Sequence, residues 1–94
     1  MSEASKPKKR DGLSERLVAG ERVVLDPESE SMHQLNVTAT LVWELCDGRL
    51  SVDEIAAELV QRFDVTLETA KADVEQAIAT FFDLGLLEGS SAGD

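Results

Sequence analysis

The sequence predicts an α+β domain, a three-stranded antiparallel sheet followed by three helices. Two features of the pattern carry this reading. Up to Asn36 short extended runs alternate with turn residues, and from Asn36 onward the apolar period is helical and punctuated by caps. The length sets the scale: 94 residues, 43% apolar, make one small domain and exclude a large enzyme.

The strands are expected at Glu15–Ala19, Arg22–Asp26 and Met32–Leu35, separated by Gly20-Glu21 and by Pro27-Glu28-Ser29-Glu30-Ser31. Arg22-Val23-Val24-Leu25 is nearly continuous in hydrophobicity, which places the second strand centrally and leaves the third at an edge. Asn36 is suited to cap a first helix that carries Leu41, Val42, Trp43, Leu45 and Cys46, with Gly48 placed to close it in a left-handed conformation. Ser51-Val52-Asp53-Glu54 has capping-box spacing, and Ile55, Leu59 and Phe63 follow at i, i+4 and i+8 of a second helix. Thr66 caps a longer third helix from Leu67 to about Leu84, with Ala70, Val74, Ala77, Ile78 and Phe81 in one stripe and Gly85 at its end.

These elements bound a domain at residues 13–88, between a basic N-terminal tail at 1–12 and a small, polar C-terminal tail at 89–94, both expected to be flexible. No apolar segment follows Lys6–Arg10 that can serve as a signal-peptide core or span a bilayer, so no membrane role is expected. The net charge is −10, and residues 17–94 carry four basic against sixteen acidic side chains. Phosphate backbones are repelled by such a surface, so no nucleic-acid partner is expected.

Catalytic and metal chemistry lack the residues they need. One cysteine excludes an intrachain disulfide and one histidine leaves a metal without a ligand set, which suits a reducing cytoplasm and implies no cofactor. His33 lies in a strand with no nucleophile or carboxylate at triad spacing, Cys46 ends an apolar helix face as a structural thiol, and Asp53, Glu54, Glu68, Asp73 and Glu75 read as solvated helix carboxylates.

Two features remain as a candidate site. The edge strand Met32–Leu35 has unpaired backbone groups to offer an extended peptide, and the long third helix beside it forms a second wall through Val74, Ala77, Ile78 and Phe81. Those apolar residues equally suit an ordinary core.

The runs Leu35-Asn36-Val37-Thr38-Ala39, Leu41-Val42-Trp43-Glu44-Leu45-Cys46-Asp47-Gly48, Ser51-Val52-Asp53-Glu54-Ile55-Ala56 and Gly85-Leu86-Leu87 closely resemble the PqqD-like family, over roughly residues 15–88. That family takes its name from the D protein of pyrroloquinoline quinone biosynthesis. The resemblance implies a small, non-catalytic, winged-helix-like domain that acts as a peptide chaperone, or recognition element, for ribosomally made and post-translationally modified peptides. It implies that Met32, His33, Gln34 and Leu35 from the strand, and Lys71, Val74, Ala77, Ile78 and Phe81 from the helix, clamp the leader of a precursor peptide. A modifying enzyme, often a radical S-adenosylmethionine protein, would be the second partner. Glu30-Ser31-Met32-His33 stands where many relatives have a glycine and an aromatic residue, and Val37 where many have proline; Trp43, and Gly85-Leu86-Leu87 in place of a Gly-Trp ending, make the chain resemble the broader chaperone group rather than the namesake.

A winged-helix DNA-binding regulator shares this architecture, but Lys71 stands against Glu68, Asp73, Glu75 and Asp83 on the third helix, a balance that opposes entry into a DNA groove. A scaffold subunit that binds only the modifying enzyme is the other alternative. The exposed edge is compatible with a monomer or with a strand-exchanged dimer.

Overall fold

A computed structural model describes residues 6–88. The chain turns first at Ala19-Gly20, where both residues have positive φ (53° and 83°) and Val18 faces Glu21 across a two-residue hairpin loop. That geometry matches the right-handed twist of the strands it joins, β1 (Ser14–Val18) and β2 (Glu21–Asp26). A four-residue loop, Pro27–Glu30, then leads to β3 (Ser31–Gln34); the Glu28 amide donates to Asp26 Oδ1 at 3.1 Å to shape its start. The sheet order is β1-β2-β3, all antiparallel, so β2 is central and β3 is an edge, as its hydrophobic pattern predicts.

Helix α1 (Val37–Glu44) starts where Asn36 Oδ1 accepts from the Ala39 amide at 2.8 Å. In α2 (Val52–Arg62) the expected capping box is closed on both sides, Glu54 N to Ser51 Oγ at 3.2 Å and Ser51 N to Glu54 Oε1 at 2.8 Å. Thr66 caps α3 (Leu67–Asp83) through the Thr69 amide at 3.2 Å. At its other end Gly85, with φ 75°, allows the Leu86 amide to reach Phe81 O and the Gly85 amide to reach Phe82 O, the paired bonds of a Schellman stop.

The core lies where one face of the sheet meets the three helices. Val24 and Leu35 from the sheet side join Val42, Trp43, Cys46, Ile55, Leu59, Ala70, Val74, Ile78, Phe81, Leu86 and Leu87, all buried. The hydroxyl of Thr40 stitches this junction, donating to Leu35 O at 3.1 Å and accepting from the Arg22 amide at 2.9 Å.

Two expectations are corrected. Gly48 does not close α1, which ends at Glu44 with Leu45 as its right-handed cap. Its φ of 86° serves a different contact: its amide donates to Pro7 O at 2.9 Å, and a Cβ there would come within 3.2 Å of Lys8 Cδ.

The second correction concerns the N-terminal segment. Residues 7–10 are not a free tail but a strap laid between the end of α1 and the C-terminal residues 86–88, with Lys8 bridged to Asp47 and Lys9 to Leu87. Lys9 N donates to Cys46 O at 3.0 Å, Arg10 N to Leu86 O at 2.9 Å, and Glu88 N to Lys8 O at 2.7 Å. The Arg10 guanidinium then joins two elements, donating from Nε to Gly85 O at 2.8 Å and from Nη2 to Asp26 Oδ2 at 2.7 Å. Residues 1–5 and 89–94, the rest of the two expected tails, lie outside the described residues.

Candidate functional site

The open edge of β3 follows from its register. Leu35 N donates to Arg22 O at 2.8 Å, so this pair, with Val24–His33 and Asp26–Ser31, is of the hydrogen-bonded kind in an antiparallel ladder. The alternate residues, Met32 and Gln34, therefore turn their amide and carbonyl groups away from β2. Their side chains share the outer face of the sheet, where Met32 is 69% exposed and Gln34 donates to Glu21 Oε1 at 2.9 Å.

Beside this edge lies a groove of about 430 Å³ between the β3–α1 junction and α3. Gln34, Leu35 and Asn36 form one wall with Thr38 and Ala39 of the first helical turn; Asp73, Gln76, Ala77, Thr80 and Phe81 form the other. The two alanines face the groove because α1 and α3 each present a small residue there, and Phe81, 1% exposed, closes its floor. Phe81 is in turn held from behind by Trp43, ring centroids 5.2 Å apart and planes at 80°.

Of the nine residues expected in the site, Gln34, Leu35, Ala77 and Phe81 come together in this groove. Met32 adds edge backbone rather than lining. His33 shares the inner face with Val24 and Leu35 and is half-buried. Val74 and Ile78, 0% and 8% exposed, belong to the core and back the wall without forming its surface. Lys71 points toward α2, where its Nζ lies 3.3 Å from Asp53 Oδ1. The lining residues that the apolar pattern does not single out, Asp73, Gln76 and Thr80, form an i, i+3, i+7 row beside the core stripe, and that row is the signal by which they can be found.

Cys46 supplies no nucleophile to this groove. Burial pushes the Cys46 thiol up to about 12, with Asp47 adding to the rise and Lys9 opposing it, so the nucleophilic thiolate is absent near neutral pH. Among the described residues no group of three His, Cys, Asp or Glu side chains is placed to hold a metal, and no helix is long and apolar enough to cross a membrane.

A three-stranded antiparallel sheet followed by three helices, with two edge peptide groups unpaired among the described residues beside a small-residue groove, defines an α+β domain with an open sheet edge. The family profile for coenzyme PQQ synthesis protein D (PqqD) matches residues 21–87, and the chain belongs to that family. Three solved structures share the fold. The PqqD truncation of Methylobacterium extorquens PqqCD, described as a stand-alone RiPP (ribosomally synthesised and post-translationally modified peptide) recognition element, is 29% identical, with 88% of each chain covered and a TM-score of 0.73. Lasso peptide synthetase B1, complexed with its leader peptide, is 22% identical over 90% of this chain and 100% of its own, with a TM-score of 0.80. TbiB1, in complex with the TbiA(beta) leader peptide, is 20% identical over 89% and 98%, also at 0.80. No curated protein matches the chain.

Proposed function

We propose that this protein is a non-catalytic peptide chaperone that binds the leader of a ribosomally synthesised precursor peptide by strand addition. The observation that carries the reading is the open edge of β3, where the Met32 and Gln34 peptide groups have no strand partner among the described residues and stand beside the Ala77–Phe81 groove. An added strand has its backbone hydrogen-bonded by Met32 and Gln34 and rests inward side chains on Ala39, Ala77 and Phe81. Family membership and the leader-bound state of TbiB1 and of lasso peptide synthetase B1 support the same reading. Held this way, the leader presents its following core segment to a modifying enzyme, of the radical S-adenosylmethionine type. The site of action is the cytoplasm, where precursor peptides are made.

Titration of the isotope-labelled protein with the precursor encoded beside its gene tests this. Amide shifts concentrated on β3 and on Asp73–Phe81 support strand addition. Shifts confined to the acidic outer faces of α2 and α3 on adding the modifying enzyme, with none from the peptide, would favour a scaffold that docks only the enzyme.

A further inference from the structure

Asp73 is unusual among the acidic residues of this chain. Buried Asp26 is paired with Arg10, and the half-buried Glu21 and Glu58 meet Gln34 and Arg62. Among the described residues, Asp73 alone is a carboxylate shielded from full exposure that neither a hydrogen bond nor an ion pair reaches. It stands on the helical wall of the groove, and none of the groove's lining residues is basic. A partly buried carboxylate beside an apolar floor favours a cation next to it, and none of the described residues places one there.

The geometry points to Asp73 as a specificity-determining residue that selects leader segments carrying a lysine or arginine. This inference rests on the strand-addition reading and adds a register to it. Asp73 and Ala77 are one helical turn apart, about 6 Å along the helix. Side chains on one face of an extended peptide repeat every two residues, about 6.8 Å. A segment running along α3 thus meets both positions when its basic residue and a large apolar residue are two apart, the cation on Asp73 and the apolar side chain between Ala39 and Ala77 above Phe81. The pairing is local. It does not depend on the overall charge of −10, which acts at longer range and is screened by salt.

Selection from a displayed library of random peptides, run in parallel on the wild type, Asp73→Asn and Asp73→Lys, tests the assignment. The wild type is expected to enrich peptides with Lys or Arg two positions from Leu, Ile, Phe or Met. Asp73→Asn loses the basic preference and retains the apolar one, and Asp73→Lys exchanges it for Asp or Glu. A synthetic peptide selected on the wild type should bind Asp73→Asn roughly three- to tenfold more weakly, whereas its variant with norleucine in place of the cation should bind both proteins alike. Amide shifts on β3 and α3 certify groove binding in each case. Groove binding with the same charge preference in all three proteins overturns the role of Asp73 alone. If no peptide is selected, or the selected peptides shift amides elsewhere, strand addition itself fails and the assignment falls with it.

Discussion

Trp43 meets Phe81 edge to face, 5.2 Å between ring centroids and 80° between ring planes, and so ties the floor of the groove to the centre of the core. Both rings are essentially inaccessible to solvent, and Lys9 Nζ of the N-terminal strap lies 5.3 Å from the Trp43 ring centroid. Strap, α1 and groove floor are thereby packed in series. A double-mutant cycle between Trp43→Leu and Phe81→Leu should show a coupling of about 0.5–1.5 kcal/mol, the part of the contact that area alone does not supply. Additive losses in urea unfolding would mean that the edge-to-face geometry contributes nothing specific.

Thr40 fixes the angle between the two walls. Its hydroxyl completes the ladder at the end of β3, where the Arg22 amide and the Leu35 carbonyl do not reach each other. Thr40→Val keeps the shape and strands both groups, so it is expected to cost about 1–3 kcal/mol. Thr40→Ser keeps the hydroxyl and should retain most of the wild-type stability in equilibrium unfolding, whereas a Thr40→Val protein as stable as the wild type would show that the two hydrogen bonds contribute nothing net.

The link between Arg10 and Asp26 makes part of the stability pH-dependent. Burial acts to raise the Asp26 pKa, but hydrogen bonds from Arg10, Ser29 and the Glu28 backbone, with the Arg10 charge, outweigh it and hold the carboxyl below its ordinary value. A carboxyl depressed in the folded state stabilises the fold above its unfolded pKa, near 3.8, and loses that contribution as pH falls through the folded value. Arg10→Met should therefore lower the melting temperature at pH 7, and the gap to the wild type should narrow below about pH 4. A gap that stays constant down to pH 2.5 would show that Arg10 acts through Gly85 O or through packing instead.

Much of the architecture was legible because its signals are local. Asn36, the Ser51–Glu54 box, Thr66 and Gly85 each act within a few residues, so the three helices begin where their chemistry says, and the strands shift by only one position. The strap was not legible. Lys8, Lys9 and Arg10 look like a solvated tail, and nothing local reveals that their backbone meets Cys46 and Leu86, remote in sequence.

The site lies between these cases. Strand order exposes the β3 edge to sequence reasoning, but apolar periodicity in α3 marks the stripe that packs inward, and Val74 and Ile78 are on it. The groove surface combines Ala77 and Phe81 from that stripe with the neighbouring row of Asp73, Gln76 and Thr80, whose polar side chains look like any solvent-facing side.

Ala77 gives a direct way to close the groove without replacing the buried Val74 or Ile78. It is half-buried on the groove wall, and Ala77→Trp projects an indole into the space between α3 and the β3–α1 junction. Leader-peptide affinity should fall by at least roughly tenfold, about 1.4 kcal/mol, in a calorimetric titration while the far-UV spectrum is unchanged. Unaltered affinity would place the peptide elsewhere.

Strand addition itself is tested most directly by residue-resolved hydrogen exchange of the β3 amides with and without bound precursor peptide. The Met32 and Gln34 amides face the open edge and the His33 amide faces β2, so binding should slow exchange at Met32 and Gln34 well beyond any change at His33. Unprotected Met32 and Gln34 amides in a saturated complex would contradict a leader peptide bound as a fourth strand.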